Sequence, residues 1–330
     1  MGANGDGIAR AATLGHARVA EYEMPNLTRI AAAMGIACLK AMLARLSPGD
    51  RSWLARKVVQ DRESQAVRAL VDFSYGTIRG WKNSGFDIHA NGEAALLSRL
   101  RPFSPRMVLD VGANVGDWTM CVLELLPEAS VHAFEIAPAT SAILNRNIAA
   151  VAGRVQANSI GLSDQAGTIT LFYTPESDTA STTVARAVDI AAVNHGVRDV
   201  QELTVPVTTG DAYLREHAID HVDLLKIDVE GAELSVLQGF GEAFAREMVD
   251  LVQFEYGLVN LRTRTLLEDF YAFLEPRGFV IGKVYPHGVG FKPYDIADED
   301  FIGLNFIACR RSRPDLINAI GCAPLRLPDP

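Results

Sequence analysis

The shortages in this sequence are informative. No run of about 18 apolar residues occurs, which argues against a membrane-spanning helix. The N-terminus lacks the basic-then-apolar pattern of an export signal. Met1-Gly2 opens like an acylation site, but Asp6 stands where Ser or Thr is required. Cysteine is scarce: Cys38, Cys121, Cys309 and Cys322 have neither metal-ligand nor disulfide-framework spacing. A soluble, cytoplasmic protein with reduced thiols is expected. Basic residues are also in deficit, 31 Lys and Arg against 40 Asp and Glu. A net charge of −9 disfavours a nucleic-acid backbone as the main partner, since phosphate contacts need clustered cations.

What is present is ordinary globular composition, 48% hydrophobic and 22% charged over 330 residues. That length suits one large domain with an appendage. Residues 1–24 are Gly- and Ala-rich and are expected to be loosely ordered. Residues 25–85 read as a helical appendage, because apolar side chains recur at helical spacing from Leu27 to Leu46 and Ser47-Pro-Gly-Asp50 then stops the helix. Such helices have three natural partners: the main domain, a second subunit in a homodimer, or, for a basic amphipathic helix, a membrane surface. The main domain is expected over 86–310. A proline-rich tail follows over 311–330.

The main domain alternates strand and helix signals, as a doubly wound, mostly parallel α/β sheet does. Its first unit is the most telling. The apolar run Met107 to Leu109 ends in Asp110; a turn of Gly112, Ala113, Asn114 and Gly116 follows, then an apolar-periodic helix from Trp118. A second strand, Val131 to Phe134, delivers Glu135, whose two oxygens suit the vicinal hydroxyls of a ribose. A dinucleotide turn would carry a third glycine to seat a pyrophosphate at the helix N-terminus, and this loop lacks it. Asp110 would repel a pyrophosphate but attract the ammonium of S-adenosylmethionine, so a cationic, phosphate-free ligand fits better.

Asp110, Glu135, Asp228 and Glu255 are each the first polar residue after an apolar strand. Ligands of such sheets bind outside the carboxyl ends of the strands. Four carboxylates at one edge repel one another unless a cation or hydroxyl partner accompanies them. Asn158, Ser159 and Gly161 end the third strand. A segment at 175–200, rich in Ser, Thr, Asp and Ala, reads as a mobile insertion over the site.

Three stretches carry a family resemblance: Val108-Leu-Asp-Val-Gly-Ala-Asn-Val-Gly116, Phe134-Glu-Ile-Ala-Pro138 and Asp223-Leu-Leu-Lys-Ile-Asp-Val-Glu-Gly-Ala-Glu233. Over residues 86–310 the chain resembles the FkbM family of S-adenosylmethionine-dependent methyltransferases, and the third stretch is the most specific. The resemblance implies a class I, Rossmann-like methyltransferase fold with an N-terminal helical appendage. It also implies methyl transfer to a hydroxyl of a sugar, glycan or polyketide-type natural product. Asp110, Gly112, Ala113, Asn114 and Gly116 would surround the methionine half, with Glu135 and Ile136 at the ribose. Asn158, Ser159, Gly161 and Leu162 would lie against the adenine. Asp228 would sit nearest the methyl, with Glu230 and Glu255 orienting or deprotonating the acceptor. His287 and His195 are alternative bases. Asp228, Glu230 and Glu255 also form an oxygen-only set that suits Mg2+, a reading kept but not favoured. Two rivals remain: a nicotinamide-dependent oxidoreductase on a similar sheet, and a non-catalytic binding module that keeps the cofactor fold.

Overall fold

The computed structural model describes residues 26–173 and 201–323, with side chains from residue 33 onward. The expectations for residues 1–24, for the insertion at 175–200 with its His195, and for residues 324–330 lie outside the described residues. Three helices come first: α1 (Asn26–Arg45), α2 (Pro48–Val58) and α3 (Gln65–Trp81). The start of α2 is written locally. Ser47 Oγ accepts from the Asp50 amide at 3.1 Å, Asp50 accepts from the Ser47 amide at 3.2 Å, and Pro48 opens the first turn. The chain divides into two compact units between Tyr75 and Gly76, ten residues before the boundary expected at 85/86. The sequence offers no stop signal there because α3 runs through it unbroken.

The second unit is layered. In chain order its elements are α4 (Glu93–Leu100), β1 (Met107–Val111), α5 (Asp117–Leu125), β2 (Ser130–Phe134), α6 (Pro138–Asn147), β3 (Val155–Asn158), β4 (Gly161–Leu162), β5 (Gly167–Tyr173) and β6 (Gln201–Thr208). They continue with α7 (Gly210–Glu216), β7 (Val222–Ile227), α8 (Glu233–Gln238), α9 (Gly241–Ala245), β8 (Val249–Glu255), α10 (Asn260–Thr263), α11 (Leu267–Leu274), β9 (Phe279–Tyr285), β10 (Gly288–Phe291), β11 (Asn305–Arg310) and α12 (Pro314–Ile320). Eight strands form one sheet in the order β10-β9-β11-β8-β7-β1-β2-β3. From β3 to β8 every pairing is parallel, and β11 enters antiparallel between β8 and β9.

Helices cover both faces, as the near-continuous apolar strands require. On one face α4, α5, α6 and α12 pack Leu97, Trp118, Val122, Leu144 and Ile320 onto Val108, Val131, Leu224 and Leu251. On the other, α7, α8, α9 and α11 bury Tyr213, Val236, Phe240, Phe244 and Phe270 against Leu109, Leu225, Val252 and Phe254. The strand order turns back between β1 and β7, which opens a crevice outside their carboxyl ends.

A separate three-stranded sheet follows β3, in the order β4-β6-β5, with β5 antiparallel to β6. One expectation changes. The stretch from 311 is not a trailing tail. It forms α12, whose Leu316 and Ile320 are buried, and Gly321 bridges to Val289. Pro314 opens that helix rather than preventing it, because a proline is tolerated in a first helical turn. No helix among the described residues is long and apolar enough to cross a membrane.

Candidate active site

The loop after β1 is built for close backbone approach. Gly112, Asn114 and Gly116 all have positive φ, +85°, +50° and +97°. A Cβ at Gly112 would collide with the Asp228 carbonyl, so the first loop and the loop after β7 pack backbone to backbone. Gly112 and Ala113 both donate to the Phe134 carbonyl, at 3.0 and 2.8 Å. The end of β2 thereby fixes the turn.

Glu135 follows that carbonyl and is almost buried. Its Oε2 accepts from the Asn114 amide at 3.0 Å and its Oε1 from the Ala137 amide at 2.8 Å. Each oxygen keeps a second lone pair for a hydroxyl donor. Burial, opposed by the two amides, pushes its carboxyl up to about 7. Ile136 packs over Gly161, where a Cβ would touch its Cδ1. Ser159 shares a 2.7 Å hydrogen bond with Ser141.

Two of the residues expected around the adenine are engaged elsewhere. Asn158 Oδ1 accepts from Tyr213 Oη at 3.1 Å and its amide donates to the Ala133 carbonyl at 3.2 Å. Leu162 is buried in the core with Tyr213 and Phe240.

The acids are arranged differently from a bare anionic rim. Asp110, Lys226 and Gln253 occupy one register row of β1, β7 and β8, so their side chains leave the sheet on the same face. Asp110 is fully buried; Thr119 Oγ1 donates to its Oδ2 at 2.6 Å and Lys226 Nζ stands 3.7 Å from its Oδ1. Asp110, expected beside the methionine half, is thus held behind Lys226 at the base of the carboxyl edge. Lys226 Nζ donates to Asp228 Oδ2 at 2.9 Å and lies 5.6 Å from the Trp118 ring centre. Burial works against the ammonium, but Asp228 and Asp110 outweigh it and hold Lys226 above the usual lysine range. Burial raises Asp110, against Lys226 and Thr119.

Around this pair stand three further carboxyls. Glu93, at the start of α4, is buried and accepts from Gln253 at 2.6 Å and from Asn91 at 2.6 Å. Glu255 ends β8 half-buried; burial, then repulsion from Asp228 and Glu230, lifts it well above the usual carboxylate range. Glu230 keeps exposed surface, yet enough protein surrounds its carboxyl to push it up to about 8, with Asp228 and Glu233 adding repulsion. Its φ of +54°, followed by Gly231 at +108°, marks a strained turn. Glu233 braces that turn from inside, accepting from the Gly231 amide at 2.9 Å and the Val229 amide at 3.2 Å.

A family model for the methyltransferase FkbM domain matches residues 110–281. The chain belongs to the FkbM methyltransferase family. Its sheet, mostly parallel with β11 and β10 running the other way, is the mixed α/β fold expected of a class I methyltransferase. Methyltransferase sdnD of Sordaria araneosa is 32% identical over 202 residues, covering 54% of this chain and 75% of the relative. The 31-O-demethyl-FK506 methyltransferase FkbM of Streptomyces tacrolimicus is 32% identical over 158 residues, 42% of this chain and 60% of that protein. The hexuronic acid methyltransferase AglP of Haloferax volcanii is 29% identical over 149 residues, 45% of this chain and 56% of that protein. The chain thus spans little more than half the length of the last two. The family match begins after the N-terminal helices.

Within this FkbM domain the remaining sequence candidates are spread out. Asp228, Glu230 and Glu255 share the carboxyl edge, but they do not bring three ligand oxygens within 4.8 Å of one another. Among the described residues only His221, Asp223 and Asp250 do so, at the opposite edge where β7 and β8 begin. There Asp223 already accepts from the Arg106 and Met107 amides and Asp250 pairs with Arg313. His287 is exposed at the tip of the β9–β10 turn, its ring stacked on Tyr285 at 5.8 Å. His132 is tied to Tyr213 at 2.8 Å. Lys226 and Glu93 are the members that the sequence reading missed. Lys226 stood in the most specific stretch, and a lysine between Leu225 and Ile227 in a mostly apolar run was the signal available.

The donor set fits S-adenosylmethionine. One lysine faces Glu93, Asp110, Asp228, Glu230 and Glu255, so the carboxyls outnumber the cation and a positively charged ligand would favour their ionised forms, while Glu135 offers two paired acceptor oxygens. A pyrophosphate would meet the same surplus as repulsion.

Proposed function

We propose that this protein is an S-adenosylmethionine-dependent O-methyltransferase whose acceptor is a hydroxyl of a sugar, glycan or polyketide-type molecule. The observation that carries the reading is the set of carboxyls raised together at the ends of β7 and β8, beside a loop shaped for backbone contact. The names of two relatives, a 31-O-demethyl-FK506 methyltransferase and a hexuronic acid methyltransferase, support the acceptor class.

S-adenosylmethionine, when bound, supplies an activated methyl group. The protein's part is to hold, orient and deprotonate. Glu135, fixed by two amides, receives the ribose hydroxyls. The backbone of Gly112 to Gly116 holds the adjoining part of the ligand. Asp228, held by Lys226, faces the crevice half-exposed and positions the acceptor oxygen in line with the methyl carbon. Glu255 would take up the proton that the acceptor hydroxyl gives up on methylation. Burial, with Asp228 and Glu230, favours the protonated form of Glu255 against the pull of Lys226. A further cation beside it would return its carboxyl toward the ionised form, so the base would become competent with the donor bound. Glu230 at the rim orients the acceptor. No step needs a metal ion, and the three acids do not meet as a ligand trio.

Calorimetric titration with S-adenosylhomocysteine and with NAD tests the donor: the first should bind and the second should not. Transfer of a radiolabelled methyl group across a glycan and natural-product panel, with Asp228→Ala as control, tests the acceptor. Undiminished transfer by that variant would remove Asp228 from the mechanism. Binding of S-adenosylhomocysteine with no transfer to any hydroxyl would favour a non-catalytic module.

A further inference from the structure

The FkbM match leaves residues 26–75 unexplained, and these helices expose what a soluble domain ordinarily hides. No residue of α2 or α3 is buried. Met34, Trp53, Leu70 and Val71 are exposed by 65, 56, 42 and 50%. Along α3 the apolar positions Val67, Leu70, Val71, Ile78 and Trp81 fall on one helical face. An apolar surface of this kind marks an interaction site rather than chance exposure.

The charge is opposite to that of the rest of the chain. Residues 26–75 carry eight Lys and Arg against four Asp and Glu, whereas residues 76–330 carry 21 against 33. Helix α1 has no acidic residue at all. The two features meet in a cleft of about 480 Å³ lined by Val59, Val67 and Val71 together with Arg62, Arg68 and Asp72. Apolar walls beside guanidinium groups suit an amphiphile with an anionic head. Trp53, with Lys57 Nζ 5.8 Å from its ring centre, has the composition of an interfacial anchor.

We propose that the N-terminal helices dock this enzyme on a membrane surface rich in anionic phospholipid. An isologous pairing of two copies would seal the apolar face but set one basic surface against another. An anionic bilayer satisfies both properties at once. No described helix can span the bilayer, so the contact lies in the headgroup and upper acyl region.

The test uses the full chain and sedimentation with vesicles of phosphatidylcholine alone, or with roughly 30% phosphatidylserine. Anionic vesicles should bind roughly tenfold more protein or better, and about 0.5 M salt should release much of it. The double substitution Leu70→Glu, Val71→Glu should abolish binding. Its circular dichroism, thermal midpoint and S-adenosylhomocysteine affinity should stay unchanged, since neither side chain is buried. Arg62→Glu with Arg68→Glu should remove the preference for anionic lipid. Absence of binding, or equal binding to both vesicle types, would overturn the proposal. So would a lipid-free dimer in light scattering that the Leu70 and Val71 changes convert to monomer, which would assign the face to a second copy. None of these readouts depends on methyl transfer, so failure of the catalytic reading would leave them intact.

Discussion

The ammonium of Lys226 is clamped to Asp228, 2.9 Å away, while its other side faces the sealed carboxyl of Asp110. One cation thus joins the visible edge of the crevice to the interior of the sheet. Its removal should be costly. Lys226→Met leaves Asp110 buried with Thr119 as its remaining hydrogen-bond partner. Breaking a buried pair from one side costs about 3–5 kcal/mol. Urea denaturation should show a loss of that size, and Asp110→Asn in the same chain should recover part of it. Equal stabilities for the single and double variants would mean that the pair is not coupled.

The acids give stability a pH dependence of definite sign. Glu233 is almost fully buried and its carboxyl is raised to about 7, by burial first and against the Gly231 amide. In the unfolded chain it ionises near 4.5, so between those values the folded state holds more protons. Its contribution is complete below pH 4.5 and is lost as pH rises through about 7. That loss is on the order of 3 kcal/mol. Glu135 acts in the same direction. The thermal midpoint of the ligand-free protein should therefore fall between pH 5 and 8, roughly the interval in which these groups ionise. Glu233→Gln keeps an oxygen for the Val229 and Gly231 amides but does not titrate, and should flatten the curve. A wild-type curve that rises over this interval would contradict the assignment.

Much of this was legible because the local signals agreed with the global fold. Met107 to Leu109, Val131 to Phe134 and Val222 to Ile227 are predominantly apolar runs each followed by an acid, and all three form strands of the main sheet. Thr209 caps α7 as its residue type suggests, accepting from the Ala212 amide at 3.1 Å. What escaped depends on contacts between segments distant in sequence. Nothing near Asp110 in the chain announces Lys226, more than a hundred positions later, as its counter-charge. Glu93 reads as an ordinary first-turn acid until Gln253 is brought beside it. Helix α12 looks like a tail because its prolines mask two buried side chains, Leu316 and Ile320, that pack on the sheet.

The loop after β1 should tolerate no side chain at its first glycine. Gly112 holds φ +85°, and a Cβ there meets the Asp228 carbonyl rather than a movable side chain. Gly112→Ala must strain the turn or push the β7 loop away, at a cost of about 1–3 kcal/mol for the backbone alone. The expected outcome is a lowered thermal midpoint with S-adenosylhomocysteine affinity reduced tenfold or more, on the order of what such a strain implies. Gly153, whose Cβ would meet nothing within 4 Å, is the control, and its alanine variant should bind normally.

The division of labour between Glu255 and Glu230 is separable by kinetics. Glu255 is half-buried at the end of a rigid strand and has Asp228 and Glu230 as its strongest acidic neighbours. A base in that position acts in the transition state and contributes little to ground-state binding. Glu255→Gln should therefore lower kcat by roughly 10²–10⁴, the usual range for a positioned proton acceptor. S-adenosylhomocysteine affinity should change little. The acidic limb of the kcat profile should disappear with the carboxyl, because that limb reports protonation of the base. In the proposed mechanism Glu230, exposed on its strained turn, only orients the acceptor, so Glu230→Gln should raise KM and leave the limb in place. If the two variants exchanged these signatures, the proton would travel by way of Glu230 and the roles assigned here would be reversed.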